Sequence, residues 1–187
     1  MKKILIGTHN HGKFKEIAYL VSKKYKKIPP KSLNIPSPKE TGKTFSSNSK
    51  LKADFFSKFV NFPVISDDSG LCVKSLNNQP GIYSARWAKK YGNFYKAMQY
   101  ILQKLKNKKD RSATFVCSLS FKKPSGKIIT VSGKIKGKIS SKIIGKKGFG
   151  YDPIFIPLGS KKTFGQISPK KKYKIDHRYK AFQKIKK

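Results

Sequence analysis

Pro63-Val64-Ile65-Ser66-Asp67-Asp68-Ser69-Gly70 decides the fold, because it joins an apolar strand to two adjacent carboxylates. The chain holds only eight acidic residues beside 44 lysines and arginines. Neighbouring carboxylates after a buried strand repel each other and destabilise the fold unless a cation neutralises them. Asp and Ser also favour capped turns, which is the alternative interpretation. We favour a role for the pair in metal binding or general-base chemistry.

The segments on both sides of this stretch predict an α/β fold with a mixed sheet. Lys3-Ile4-Leu5-Ile6-Gly7 is a continuous apolar run typical of a buried strand. The turn Pro124-Ser125-Gly126 predicts an antiparallel hairpin. The order of strands and helices indicates the α/β class. The predicted helices cover about 14–22, 45–59 and 93–105, with a last one at His177-Arg178; the predicted strands cover about 3–7, 64–67, 71–73, 113–121, 127–135 and 154–156, with a loop over 81–87.

Length and charge limit the possible classes of protein. A chain of 187 residues that is 37% hydrophobic predicts one globular domain over 1–187, with a lysine-rich tail at about 183–187. A formal charge of +36 suggests nucleic acid, a membrane surface or an anionic substrate. Only Arg86, Arg111 and Arg178 are arginine, although surfaces that read base sequence favour arginine. The spread of lysine along the chain indicates a solvated surface rather than a dedicated nucleic-acid face.

The cysteines and the apolar runs bear on the compartment. Cys72 and Cys117 do not form a CxxC pair and lie in apolar runs, so we interpret both as reduced core residues. The apolar run after Met1 stops at Gly7, shorter than the roughly 7 residues of a signal-peptide core. No stretch approaches the roughly 18 apolar residues of a membrane span. We therefore expect a soluble cytoplasmic protein with no membrane partner.

Two polar segments near the start of the chain fit phosphate and metal binding. Thr8-His9-Asn10-His11-Gly12-Lys13 joins the first strand to the first helix, where backbone N–H groups and the helix dipole suit a phosphate. It does not match the P-loop pattern, and an N-cap followed by an exposed lysine is the alternative. Glu40 lies in a loop, where an isolated glutamate is usually solvent exposed. Glu40 and Asp68 together would supply the one or two carboxylates that Mg²⁺ takes beside phosphates and waters.

Two further segments fit recognition of a base. Glycines flank the aromatic residue in Gly148-Phe149-Gly150-Tyr151-Asp152-Pro153, so the Phe149 ring could stack on a base and Asp152 could pair with a purine N–H edge. A strained aromatic turn is the equal alternative. Asp176-His177-Arg178 at a helix start could donate to a carbonyl on the base, whereas an ordinary surface histidine is the alternative for His177. No zinc-type Cys/His spacing and no Ser-His-Asp arrangement is present in the sequence.

Taken together and in this order, these segments resemble the inosine/xanthosine triphosphate pyrophosphatase family. The resemblance runs from Thr8 to Arg178, and its most specific parts are Ser66–Leu71, Pro80-Gly81-Ile82-Tyr83-Ser84-Ala85-Arg86 and Gly148–Phe155. It implies a two-lobed α/β fold with a long mixed sheet, flanking helices and a central nucleotide-binding cleft. It also implies a homodimer with one Mg²⁺ per subunit, which hydrolyses ITP, dITP and XTP between the α- and β-phosphates.

The resemblance also implies roles for individual residues. Asp68 would be the catalytic base and, with Glu40, a metal ligand. Ser69 would contact the substrate, and Lys172, His177 and Arg178 would complete the recognition of phosphate and of the 6-oxo group. The remaining substrate-binding residues would be Thr8, His9, Asn10, His11, Gly12 and Lys13 for the triphosphate, and Phe149, Gly150, Tyr151 and Asp152 for the base.

Two positions depart from the family pattern. Asp176 stands where family members usually carry Ser beside the base-reading His177, so the resemblance leaves base selectivity open at this position. Lys170 and Lys171 precede Lys172 where acids are usual, and they add charge.

Two other functions stay open. The first is a house-cleaning pyrophosphatase for other modified nucleotides. A sequence without the Phe149–Asp152 and His177-Arg178 segments would have favoured this function. The second is a lysine-rich nucleic-acid-binding protein. That protein would bind duplex DNA in a salt-sensitive way and would not depend on Glu40 or Asp68.

Overall fold

The computed structural model describes residues 1–185 and confirms an α/β fold with a mixed sheet flanked by helices. No helix in this described part is both long and apolar enough to reach across a bilayer. Short 3₁₀ segments connect several elements. The strands are β1 (Lys2–Ile6), β2 (Tyr25–Ile28), β3 (Val64–Val73), β4 (Gln79–Pro80), β5 (Ser112–Lys122), β6 (Ile129–Ile139) and β7 (Phe155–Pro157); the helices are α1 (His11–Leu20), α2 (Phe45–Ser57), α3 (Ser84–Lys90), α4 (Phe94–Lys104), α5 (Pro169–Lys172) and α6 (His177–Ile185).

The strand order is β2-β1-β3-β5-β6-β7, with β4 paired to β3. β1 runs parallel to both of its neighbours, and Leu5 and Ile6 lie opposite Val64 and Ile65 of β3. β6 and β7 are antiparallel. The parallel arrangement explains why β1 is apolar on both faces, since strands of this kind are covered on both sides.

The chain forms two compact units. The first unit contains Met1–Asp68, Cys117–Gly133 and the chain from Arg178, and the second contains Ser69–Val116 and Lys134–His177. The chain changes unit inside β3, β5 and β6 and again after the first residue of α6, so neither unit is a continuous segment.

Each unit has its own apolar core. In the first unit, β1 directs Ile4 and Ile6 toward Ile17 of α1, whereas Leu5 between them packs with Phe56 of α2. This alternation follows from the two-residue period of a strand. The core of the second unit combines side chains of α4 with aromatic rings of the sheet and of the loop after β7; among them are Ala97, Met98, Ile101, Phe115, Phe155 and Phe164.

The capping residues fix where the helices begin. The Asn10 side chain accepts a hydrogen bond from the Lys13 backbone N–H at 3.0 Å, so α1 starts at His11. Thr44 and Ser47 form a capping box at the start of α2. Each cap satisfies backbone donors that the first helical turn would otherwise leave without partners.

Several sequence predictions need correction. The predicted strands at 64–67 and 71–73 form the single strand β3. Its first part pairs with β1 and its last part with β4, and the backbone of the aspartate pair between them is extended as well. The predicted loop at 81–87 is a 3₁₀ turn followed by α3. The helix predicted from residue 14 starts at His11, and the strand predicted to end at 135 continues to Ile139.

Three smaller expectations also change. The parallel strand β2 was not predicted, because the lysines of Tyr25-Lys26-Lys27-Ile28 hide its apolar pattern. Residues 183–185 of the predicted tail belong to α6, and residues 186–187 lie outside the described part. Cys117 is a buried free cysteine as expected, but Cys72 is partly exposed.

Candidate functional site

The loop between β1 and α1 presents the predicted phosphate-binding residues. Its turn needs Gly7, because a Cβ there would lie 2.1 Å from the Ser66 hydroxyl oxygen. Thr8 is 5% exposed, and its hydroxyl oxygen accepts the Asn10 N–H at 3.2 Å. The His9 ring nitrogen lies 2.9 Å from the Ile35 carbonyl oxygen, a contact that orients the ring. The segment therefore joins a buried strand to a capped helix N-terminus, which is a favourable setting for an anion.

Glu40 and Asp68 lie close enough for their charges to interact. Burial raises the pKa of the Asp68 carboxyl; nearby Lys13 opposes the rise and Glu40 adds to it. Asp68 is 3% exposed, and its Oδ2 accepts a hydrogen bond from the Asn48 amide at 3.0 Å. The two carboxylates offer hard oxygen ligands of the kind that Mg²⁺ prefers.

Lys52 is a component of this group that the sequence did not identify. The side chain is buried, and its ammonium donates to Glu40 Oε1 at 3.2 Å and to the Asp67 carbonyl oxygen at 2.7 Å. Lys52 lies one helical turn after Asn48 on α2, and both side chains are buried. The usable signal was a lysine and an asparagine on the buried face of a helix, since such residues are rarely buried without polar partners.

Asp67 and Asp68 contact different groups. Asp67 Oδ2 accepts from Arg178 Nη2 at 3.0 Å and lies 3.4 Å from Lys13 Nζ. Arg178 Nη1 donates to Glu16 Oε2 at 2.7 Å. Arg178, predicted to recognise the 6-oxo group, thus holds two carboxylates of the first unit, and Glu16 is a further residue that the sequence did not identify.

The aromatic turn of the second unit is held by buried charge. Gly148 and Gly150 adopt positive φ angles of 74° and 64°, a conformation that favours glycine. Asp152 accepts the Phe149 backbone N–H at 2.9 Å and forms an ion pair with Lys172. The Lys172 ammonium also lies 5.0 Å from the centroid of the Phe149 ring, in cation–π range. These contacts set the orientation of the ring that was predicted to stack on a base.

Tyr151, predicted to contact the base, is 2% exposed and donates its hydroxyl hydrogen to the Ser84 carbonyl oxygen at 3.0 Å. Burial raises the pKa of the Tyr151 phenol well above its ordinary value. The Ser84 hydroxyl oxygen in turn accepts a hydrogen bond from the Leu71 backbone N–H at 3.0 Å. Within the second unit, the Pro80–Arg86 segment therefore fixes the strand that follows Ser69, and Ser69 itself is partly exposed.

His177 and Asp176 are both buried, at 2% and 1% exposure. The His177 ring stacks on Phe115 at 4.9 Å with 10° between the planes. An ordinary surface histidine is thereby excluded, and the ring is fixed by the core of the second unit.

A family comparison matches the Ham1 family to residues 4–187. The dITP/XTP pyrophosphatase of Caulobacter vibrioides is 39% identical over 186 residues, covering 98% of this chain and 96% of the relative. The dITP/XTP pyrophosphatase of Bacillus subtilis is 38% identical over 198 residues, covering 100% and 96%.

Solved structures agree with the sequence comparison. The Staphylococcus aureus Ham1 protein superposes with a TM-score of 0.86 at 37% identity, covering 98% of this chain and 96% of its own. The HAM1 protein of Coxiella burnetii superposes with a TM-score of 0.87 at 33% identity, covering 99% of this chain and 96% of its own. Matches in sequence and in fold cover nearly the whole chain, and the chain belongs to the Ham1 family.

Proposed function

We propose that the protein hydrolyses deaminated purine nucleoside triphosphates, namely ITP, dITP and XTP, to the nucleoside monophosphate and pyrophosphate. The chain is a nucleoside-triphosphate pyrophosphatase by its family and by the names of its relatives. The observation that carries the proposed cleavage is the group formed by Glu40, Lys52 and Asp68 beside Lys13. Carboxylates that hold a cation and a water, next to lysines that face phosphate oxygens, match the needs of phosphoanhydride cleavage.

Asp68 is the proposed general base. Its carboxylate is oriented by the Asn48 amide, so one oxygen is fixed while the group accepts a proton from the attacking water. Thr8 to Lys13 bind the triphosphate through backbone N–H groups, the helix dipole and the Lys13 ammonium. Lys52 orients Glu40 through its contact at 3.2 Å.

Glu40 and Asp68 are the proposed ligands of one Mg²⁺ per subunit. In residues 1–185, no cluster of three or more His, Cys, Asp or Glu side chains forms a metal site by itself. Two carboxylate ligands suit Mg²⁺, because this ion typically takes one or two carboxylates and completes its coordination shell with phosphates and waters. When bound, the ion would neutralise charge on the phosphate oxygens.

The base is proposed to stack on Phe149, with Gly150, Tyr151 and Asp152 shaping the turn and Lys172, His177 and Arg178 completing recognition. A site that donates to a 6-oxo group rejects adenine, whose amino group would leave the donor unpaired. Arg178→Ala should narrow the preference for ITP over ATP if Arg178 is that donor. Equal losses for both substrates would instead assign Arg178 to its contacts with Glu16 and Asp67.

Residues 1–187 are proposed to act as one functional domain in a cytoplasmic homodimer. With a formal charge of +36, two like subunits repel each other, so salt should strengthen the dimer through screening. Sedimentation mass across a salt series tests this. A dimer that weakens as salt rises would point to an interface built on ion pairs.

One assay decides among the possible functions: pyrophosphate release from ITP, XTP, dITP, GTP and ATP, with and without Mg²⁺. We expect release from the first three only and only with the metal. Methylated and pyrimidine nucleoside triphosphates are added to the series, and preference for one of them would favour a pyrophosphatase for other modified nucleotides. Inactivity toward every nucleotide, combined with salt-sensitive binding to duplex DNA, would favour a nucleic-acid-binding protein.

A further inference from the structure

Four charged side chains form a connected group in the first unit. Lys13 and Glu16 lie one turn apart on α1, Asp67 belongs to β3, and Arg178 is the second residue of α6. Glu16, Asp67 and Arg178 have side chains no more than 2% exposed, whereas the Lys13 side chain is 14% exposed. The group is neutral as a whole, and its more accessible end is a lysine ammonium.

Asp67 is the central member of the group. A single oxygen, Oδ2, meets both Arg178 Nη2 at 3.0 Å and Lys13 Nζ at 3.4 Å. Consecutive side chains of a strand point to opposite faces, which explains why Asp68 contacts Asn48 instead. The adjacent carboxylates therefore have different hydrogen-bond partners, although Lys13 is near both.

We propose that Asp67 is a positioning residue that holds the Lys13 ammonium in place for a substrate phosphate. The inference rests on the proposed function, in which Lys13 binds the triphosphate. Asp67 is fixed by Arg178, and Arg178 is fixed in turn by Glu16. The chain thus uses a buried aspartate to aim a cation, while its neighbour Asp68 carries out the chemistry.

The chemistry of an ammonium group allows this division. Lysine has a flexible stem and three N–H donors, so contact with one carboxylate restricts its position and still leaves donors for a phosphate oxygen. Arg178 compensates the charge of Asp67, so this carboxylate does not repel the phosphate as an unpaired anion would.

The direction in which Asp67→Asn changes anion affinity shows whether Asp67 positions Lys13 or acts only through its charge. Removing a negative charge near an anion-binding lysine should tighten anion binding if Asp67 acts only through its field. If Asp67 holds Lys13 in place, Asp67→Asn should weaken binding despite the more positive site. Isothermal titration with inorganic tripolyphosphate, in metal-free buffer at about 0.15 M salt to limit non-specific attraction, measures the phosphate contacts without a base.

We expect Asp67→Asn to raise the Kd for tripolyphosphate about 10-fold and Lys13→Met to raise it at least as much. The double variant should bind no worse than Lys13→Met, since the two residues act as a unit. Asp54→Asn is the matched control. Asp54 belongs to the same unit and contacts Lys122 at 2.7 Å and Lys58 at 3.8 Å. The substitution Asp54→Asn therefore removes the same charge from a lysine-paired aspartate at another position. Its Kd should stay within about 2-fold of wild type.

An Asp67→Asn variant with an unchanged or lower Kd would overturn the inference, and so would losses that multiply in the double variant. If Asp67→Asn does not fold, as judged by circular dichroism, Glu16→Gln decides in its place. This change loosens Arg178 without touching Lys13, and we expect a Kd about 3-fold higher. An unchanged Kd would overturn the inference. Wild-type protein that releases no pyrophosphate from any nucleotide would refute the proposed function instead, a result independent of these ratios.

Discussion

Lys172 and Asp152 form a buried ion pair in which each side chain is 2% exposed. The same Asp152 carboxylate accepts the Phe149 backbone N–H, so one carboxylate fixes both the lysine and the aromatic turn. A Cβ at Gly148 would lie 2.0 Å from Asp152 Oδ2, which shows how closely the turn wraps around this carboxylate. The pair is therefore a structural support for the ring that we propose to stack on a base.

Lys172→Met should lower the free energy of unfolding by about 3–5 kcal/mol, because it leaves a buried carboxylate without its cation. Adding Asp152→Asn should recover part of the loss, since no buried charge then remains. Urea unfolding measures both. Lys74→Met is the matched control, because Lys74 pairs with Asp110 at the surface with side chains 76% and 41% exposed, and little change is expected. Equal losses in both lysine variants would contradict this role of the buried pair.

Asp68→Asn should reduce turnover of ITP by about 100-fold or more while the protein remains folded, because it removes the proposed base and a metal ligand charge. Steady-state pyrophosphate release and circular dichroism are the two measurements. Asp54→Asn, an identical change at a partly exposed position of the same unit, should retain wild-type turnover. Near-wild-type turnover in Asp68→Asn would remove Asp68 from the mechanism.

The pKa of Asp68 also predicts a dependence of stability on pH. Burial raises this pKa above the ordinary value of 3.8, so between 3.8 and the raised value the folded state binds more protons than the unfolded state. The contribution of Asp68 to stability therefore falls as pH rises through that window and stays unfavourable above it. In EDTA at pH 7, Asp68→Asn should raise the melting temperature, and the difference should vanish below about pH 4.

The same residue allows metal binding to be tested without turnover. Mg²⁺ should raise the melting temperature of the wild-type protein, because a ligand of the folded state stabilises it. The shift should be lost in Asp68→Asn and strongly reduced in Glu40→Gln, while Asp110→Asn should keep it. A full shift in all three variants would place the cation elsewhere.

The charge of +36 should steer anionic substrate toward the protein. We expect kcat/KM for Mg–ITP to fall as ionic strength rises, since the Debye length shortens to about 10 Å at 0.1 M. Stopped-time assays across a series of KCl concentrations, kept at constant Mg²⁺, measure the slope. A flat series would mean that the lysines are remote from the site of substrate capture.

Several parts of the fold could be predicted from local sequence. Helix α2 follows from Thr44 and the spacing of its phenylalanines, and β5 follows from alternation of apolar and polar residues. The strand β2 could not be predicted from local sequence, because two of its four residues are lysines and the strand depends on pairing with β1. Likewise α3 was predicted as loop, since its short segment lacks a side-chain cap and is stabilised by neighbours such as α4.

By itself, the sequence determined the α/β class, the family, and the candidate residues that stand next to one another in the chain, such as Asp67-Asp68 and Phe149–Asp152. Local chemistry suffices there, because a strand end, a glycine turn or a helix cap is specified by adjacent residues. Only the tertiary structure decided which charges meet: Glu16 with Arg178, 162 positions apart, Asp67 with Arg178, 111 apart, and Lys52 with Glu40. A chain with 44 cations offers each carboxylate many possible partners. Burial selects among them, since a charge withdrawn from water is stable only beside the partner that the fold supplies.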